Sequence, residues 1–255
     1  MKKFFKGTYL GALLAFLYAP IVVMIALSFN ESRSRAKWGG FSLRWYEKLL
    51  ERTEIHEALY LTLTIAVLAT IAATILGTLA AIGIHAMKKR PAALLLNASY
   101  LPMTTPDIVT GVSLMLMFVF IKMPMGFWTM LIAHIAFDTP YVLFSVLPKL
   151  KQMNVNLYEA ALDLGCTPLQ GILKVIVPQV MPGVVTGALL SFTMSIDDFV
   201  ISYFTSTTDK NLSMIIFSAA RKGIEPSIYA LSTIMFLVVL GLLLIINKRS
   251  SLENV

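Results

Sequence analysis

Apolar runs long enough to cross a lipid bilayer recur along almost the whole chain, and they leave very few folds open to it. Six stand out, at about 8–29, 58–86, 92–121 (interrupted), 126–147, 180–204 and 228–246. A hydrocarbon core of about 30 Å takes roughly 20 helical residues to cross, so each run is long enough for one span. The runs are continuously apolar and do not alternate, which excludes a membrane β-barrel. Backbone amides in lipid must then be satisfied within each segment, which leaves helices. The expected fold is all-α: one polytopic membrane domain over residues 1–255 with no separate soluble catalytic domain.

The first run follows Lys2, Lys3 and Lys6 and contains Pro20, with no small-residue cleavage site. It is too long for a signal-peptide core, so an uncleaved first span is expected. Cys166 is the only cysteine, so no disulfide can form within the chain. The net charge of +7 comes from basic residues dispersed beside apolar runs. That pattern reads as orientation in a bilayer, with membrane lipid as the partner and not nucleic acid. Raw Lys and Arg counts barely separate the two sides, but clustering does. Lys2/Lys3/Lys6, Lys88-Lys89-Arg90, Lys149/Lys151 and Lys248-Arg249 all abut span ends on one side, whereas in loop 30–57 Arg33, Arg35, Lys37, Arg44, Lys48 and Arg52 are interleaved with glutamates. Both termini are therefore expected on the cytoplasmic side of a bacterial inner membrane.

Three connections carry further signals. In loop 30–57, Trp45, Tyr46, Leu49 and Leu50 fit one face of a short helix at the membrane interface. A second outer loop, about 205–227, carries Asp209, Lys210, Arg221 and Lys222. The third run is interrupted by Pro102-Met103-Thr104-Thr105-Pro106-Asp107, whose two prolines disfavour helix at the preceding residues. Pro106 suits a restarted helix, with Asp107 in its first turn. Measured from Arg90 at 1.5 Å per residue, the break is expected roughly 18–24 Å deep. Irregular backbone at that depth requires a protein or water-filled surrounding, and either a transport site or a plain packing kink supplies one.

The polar stretch 149–178 reads as helix–turn–helix. Leu157, Ala160, Ala161 and Leu164 share a helical face with Glu159 and Asp163 beside it. Gly165 suits a left-handed helix end, and Thr167-Pro168 an N-cap and first position. A second amphipathic turn runs through Leu169, Ile172, Leu173 and Ile176 to Pro178. Glu159-Ala160-Ala161, Gly165 six residues after the Glu, and Val175-Ile176-Val177-Pro178 together resemble the cytoplasmic EAA loop of ABC importer permeases. Valines stand at 175 and 177 where that family often has Ile and Leu. Ser28-Phe29-Asn30, Phe41 to Tyr46, Pro106-Asp107-Ile108-Val109 and Leu190 to Asp198 extend the similarity, over nearly the whole chain, to the permeases of spermidine/putrescine importers. The resemblance implies the six-helix type I (MetI-like) permease fold. It also implies a coupling site at Glu159, Ala160, Ala161, Asp163, Gly165 and Pro178, where a helix docks into an ATPase. It implies a second, distinct permease subunit, two ATPase subunits that bind ATP-Mg, and an external substrate-binding protein. No cofactor or metal belongs to this chain on that reading.

Four acids fall inside apolar runs: Asp107, Asp138, Asp197 and Asp198, with no Lys or Arg in the same runs to pair with them. Each costs roughly 2.5–3.5 kcal/mol at mid-membrane, so they should face protein or a cavity. A negative cavity favours cations, and Tyr141, Phe199 and Tyr203 offer ring faces nearby. The candidate pathway is thus Asp107, Asp138, Asp197, Asp198, Tyr141 and Tyr203. Local roles compete with it: Asp107 as a helix cap, and Asp138 as an acceptor at the Pro140 kink. Asp197 and Asp198, being adjacent, cannot share one helical face. His134 reads as a packed or hydrogen-bonded side chain. No Gly-x-x-x-x-Gly-Lys-Ser/Thr loop occurs, so any ATP must act through a partner. A permease for another amine, thiamine or iron is the neighbouring alternative, and a proton-coupled secondary transporter the more distant one.

Overall fold

The computed structural model describes residues 2–34, 36–154, 156–222 and 225–252, with the side chains of 2–6, 222, 238–239 and 242–252 left outside that description. Lys2, Lys3, Lys6, Lys222, Lys248, Arg249 and Arg35, used above for orientation and loop polarity, lie outside the described side chains. Among the described residues the ordered elements are helical, apart from a single bridge between Asn30 and Phe41. Two compact units form, one from 1–56 with 216–255 and one from 57–215.

In the first unit, α1 (Lys2–Ser28) and α2 (Arg44–Leu50) pack with α12 (Pro226–Leu252). α2 was expected to lie at the interface with Trp45, Tyr46, Leu49 and Leu50 on one face. Trp45 and Leu49 are instead buried, and Leu50 is exposed. The Trp45 indole N–H donates to the Asn30 carbonyl at 2.6 Å, so the ring is held by the protein and is not free to anchor in lipid. The Phe29 ring stacks on Phe41 and packs against Tyr46, which explains the folding back of loop 30–43. Glu225 gathers Lys48 at 3.1 Å and Arg52, closing α2 onto the start of α12.

The second unit is built around α6 (Phe127–Gln152), flanked by α3 (Thr53–Ala86) and α9 (Val177–Asp197). Close approach rests on small residues. A side chain at Gly77 of α3 would meet Val142 Cβ at 2.7 Å, and one at Gly183 would meet the Ser145 carbonyl at 2.8 Å. One at Gly187 would meet Val142 Cα at 2.9 Å. Gly183, Gly187, Ser191 and Ser195 are all buried and recur every four residues, so they form one stripe of α9 against α6. Apolar side chains gain little by leaving lipid for another helix, so membrane helices associate where small residues let backbones touch. Gly187→Leu should force α9 off α6, at a cost of about 1–3 kcal/mol or more. A drop in the thermal midpoint of the purified protein, absent for Gly11→Leu, checks this; a side chain at Gly11 meets nothing within 4 Å.

Four helices are long and apolar enough to cross a membrane: Gly7–Ser28, Thr53–Ala86, Phe127–Gln152 and Pro168–Asp197. A bent pair, α4 (Lys89–Thr104) and α5 (Asp107–Phe120), adds a fifth if it counts as one span. The sixth expected span, 228–246, falls on α12, whose described apolar part is Pro226–Leu237. The chain is a multi-pass membrane protein.

Two expected spans differ in detail. Pro102 lies inside α4 and does not end it; in the last turn of that helix the Leu101 carbonyl accepts from the Thr105 N–H at 3.0 Å and from the Thr104 and Thr105 hydroxyls. The break is at Thr105-Pro106, and the axes bend there by 108°. At 1.5 Å per residue the 16 residues of α4 extend about 24 Å, so neither arm alone reaches across about 30 Å. The expected span 180–204 starts earlier, at Pro168, and is broken at Asp198-Phe199 before α10 (Val200–Thr205).

Candidate functional site

The 149–178 segment contains α7 (Asn156–Asp163) and then α8 (Pro168–Gly171), which runs on into α9. The link from α7 is a Schellman turn: the Gly165 N–H donates to the Leu162 carbonyl at 2.9 Å and the Cys166 N–H to the Ala161 carbonyl at 3.0 Å. Gly165 sits at φ +88°, where a Cβ is strained. Thr167 then caps α8, its hydroxyl accepting from the Gln170 N–H while the Gln170 side chain returns to the Thr167 N–H. Pro168 and Pro178 sit at helix starts, and a π-helical turn at Ile172–Ile176 absorbs the bond that Pro178 cannot donate. Pro178 therefore lies within a continuous run and does not close the segment.

The inward face of α7 is Tyr158, Ala161 and Leu162. A side chain at Gly171 would meet the Tyr158 ring at 2.7 Å. This differs from the face expected from Leu157, Ala160, Ala161 and Leu164, of which only Ala161 is buried. Glu159, Ala160 and Asp163 are exposed, and so are Leu157, Leu164 (87 % exposed) and Leu169. α7, the turn after it and α8 thus leave two carboxylates and three leucines uncovered.

The acids separate into two groups. Asp107, the first residue of α5, and Asp197, the last of α9, are exposed. Asp138 is fully buried and the Asp198 side chain is 7 % exposed. Asp107 and Asp138 both lie within electrostatic reach of the Tyr141 hydroxyl. Tyr203 is exposed and packs on Phe199 at 5.5 Å and on Phe204 at 5.4 Å. α5 reaches this region because Gly111 lets it approach Phe204 and the Val200 carbonyl.

The two buried acids belong to a network centred on His134. Asp198 accepts from the Ile201 and Ser202 N–H groups at 3.1 and 2.8 Å, and from the Ser202 hydroxyl at 2.8 Å. It thereby caps α10 and holds the chain through the break. With its proton given to Asp198, the Ser202 oxygen accepts from the Asn211 amide at 2.8 Å and from His134 Nε2 at 2.9 Å. In the neutral ring that bonding places the proton on Nε2 and leaves Nδ1 to accept from Ser195 at 2.7 Å. Asp198 Oδ2 lies 3.4 Å from His134 Nε2. One turn along, Ser191 donates to Asp138 Oδ2 at 3.0 Å, while Asp138 Oδ1 has no partner among the described residues. His134 is thus a hydrogen-bonded core residue. Ser191, Ser195, Ser202 and Asn211 were not singled out from the sequence, although His134/Asp138, Ser191/Ser195 and Asp198/Ser202 all share a four-residue spacing that aligns them on helix faces.

Helices packed through small-residue stripes, a broken fifth run and a helix–turn–helix segment with exposed Glu159 and Asp163 fit the class of ABC importer permeases. The family described as binding-protein-dependent transport system inner membrane component matches residues 73–248, and the chain belongs to it. A spermidine/putrescine transport system permease protein, PotC, of Haemophilus influenzae is 37 % identical over 247 residues, covering 96 % of each chain. A putrescine transport system permease protein, PotI, of Escherichia coli is 38 % identical over 232 residues, covering 86 % of this chain and 81 % of that one. The crystal structure of a bacterial ABC transporter involved in the import of the acidic polysaccharide alginate contains a chain that superposes with a TM-score of 0.77. That match covers 96 % of this chain and 95 % of the other at 14 % identity, so it speaks for the fold alone.

Proposed function

We propose that this chain is one permease subunit of an ATP-driven importer for spermidine and putrescine. The observation that carries the reading is the match, over nearly the full length, to permeases named for those substrates. The chemistry agrees with it. Polyamines are methylene chains bearing ammonium groups, and Asp107 and Asp197 stand exposed with the rings of Tyr141 and Tyr203 in the same unit. Carboxylates hold the ammonium groups while ring faces attract cations and cover methylenes. Asp138 and Asp198 serve the same region from within, by fixing the helices that present the exposed groups.

On this reading the chain forms half of the pathway, with a second, distinct permease subunit forming the other half. An external substrate-binding protein delivers cargo, and two ATPase subunits bind ATP-Mg. The chain itself hydrolyses nothing. Both termini lie on the cytoplasmic side, as does segment 149–178. There Glu159, Ala160 and Asp163 contact the ATPase while Ala161, buried on the inward face of α7, backs them; Gly165 sets the angle of the docking helix, and Pro178 with the π-turn joins it to the span. ATP-driven closure of the ATPases then moves α9 and, through Asp198 and His134, the walls of the pathway.

The test is uptake of labelled spermidine by vesicles holding the complete complex. Uptake should require ATP and the ATPase subunits and should survive a protonophore. Uptake that ignores ATP and collapses with the protonophore would establish a proton-coupled carrier instead. ATP-dependent uptake of thiamine or iron, with none of spermidine, would retain the machine and replace its cargo.

A further inference from the structure

The hairpin between α3 and α4 encloses a crevice that neither the pathway nor the coupling segment uses. It has a volume of about 290 Å³ and lies between Ile84 of α3, Met87 just after it, Leu95 of α4, and Pro140 and Leu143 of α6. Its walls are almost wholly apolar. Thr139 is one of its two hydroxyl residues, and that hydroxyl is spent on the Ile135 carbonyl at 2.6 Å. The volume is at the lower edge of small-molecule pockets, roughly 300 Å³, which suits one slender hydrocarbon chain more than a bulky solute. Met87 and Leu95 are themselves partly exposed, so the crevice opens at the surface.

Its mouth carries charge. Met87 lines the crevice, and the next residues along the chain, Lys88 in the hairpin turn and Lys89 and Arg90 at the start of α4, are all exposed. None of the three has an ion-pair partner among the described residues. Three adjacent cations beside an apolar slot match a molecule with an anionic head and a hydrocarbon tail. The geometry points to a binding site for an anionic phospholipid, with one acyl chain in the α3–α4–α6 crevice and the phosphate on Lys88, Lys89 and Arg90. Basic pockets between membrane helices bind anionic headgroups by this combination of charge and apolar contact. The occupied crevice wedges the hairpin against Pro140 of α6, two positions from Asp138, so the lipid acts on the helix that carries the buried network. The inference depends on the chain being embedded in a membrane, not on which solute it carries.

Photo-crosslinking tests it. The complete complex is placed in phosphatidylcholine vesicles holding a minor fraction of phosphatidylglycerol with a photoactivatable acyl chain. Label should appear on peptides containing Leu95 and Leu143. Each basic side chain near an anionic surface contributes a factor of about five in affinity, so Lys88→Gln/Lys89→Gln/Arg90→Gln should lower labelling at least that far. Gly83 also lines the crevice, and a Cβ there meets nothing within 4 Å. Gly83→Leu should therefore fill the slot and abolish the label without disturbing the fold, and it carries the test alone if the triple variant fails to insert. Equal labelling by a phosphatidylcholine analogue, indifferent to Gly83→Leu, overturns the proposal. So does efficient cross-linking of Leu95→Cys to a second permease chain, which would make the crevice a subunit interface.

Discussion

Replacing Gly165 by valine should bring ATP-driven uptake close to background while the permease remains in the membrane. The reason is local. Gly165 holds φ +88°, and it donates to Leu162 within the Schellman turn that sets the direction between α7 and α8. An L-residue in the left-handed region costs roughly 1–2 kcal/mol, and a β-branched one more. The turn is exposed and carries no core of its own, so the chain relieves that strain by unwinding the end of α7 and leaves the spans intact. Glu159, Ala160 and Asp163 then no longer sit on one rigid face. The series should follow left-handed tolerance: glycine first, then asparagine, alanine and valine. A shift of 1–2 kcal/mol corresponds to a factor of about 5–30 in the population of the docked geometry. Uptake and co-purification of the ATPase should therefore fall together along the series, with thermal stability of the spans unchanged. Glu159→Lys should produce the same loss without touching the turn, because it reverses charge at an exposed contact. If valine at 165 leaves both readouts intact, segment 149–178 does not couple to the ATPase.

The turn chemistry of that segment was legible because its signals are local. Gly165, Thr167 and Pro168 impose their backbone geometry within a few residues, and the capping box and Schellman turn follow from them. Which face of α7 turns inward was not legible. Leu157, Ala160 and Leu164 look like a core face, but α7 packs mainly on α8 and the π-turn, and Tyr158 and Leu162 reach them better. The leucines are left for another molecule, which a single chain cannot announce. The apolar runs likewise gave their own existence but not their breaks. α4 runs through Pro102 and ends only at Thr104, and Asp198 ends a run that hydropathy alone carries to 204. His134 could be read as hydrogen-bonded, but its partners come from α9 and α10 and become neighbours only when the helices pack. The four-residue ladders were present in the sequence; the rung-to-rung pairing was tertiary information.

Asp197 and Asp198, neighbours in sequence, should give opposite phenotypes. Asp198 holds two N–H groups and a hydroxyl at the start of α10 and faces His134, and its side chain is 7 % exposed. Asp198→Ala removes that cap, worth about 1 kcal/mol, and strands buried donors at about 1–3 kcal/mol each. The loss should appear as a lower thermal midpoint and less assembled complex, with transport per assembled complex falling less. Asp198→Asn keeps one acceptor oxygen and should recover part of the stability. Asp197 is exposed, so Asp197→Asn should leave stability within about 0.5 kcal/mol. Its effect should fall on the cargo, since a hydrogen bond to a charged group contributes about 1.5–3 kcal/mol, roughly a tenfold or greater rise in the polyamine concentration needed for half-maximal uptake. Asp107→Asn should behave like Asp197→Asn, because Asp107 is also exposed and lies within electrostatic reach of the Tyr141 hydroxyl. Thermal stability and concentration-dependent uptake, measured on the same preparations, separate the two classes. Normal uptake in the Asp107→Asn/Asp197→Asn double variant would remove the exposed acids from the pathway. The cargo would then have to be held by groups this conformation keeps buried, with the half-satisfied Asp138 the first to examine.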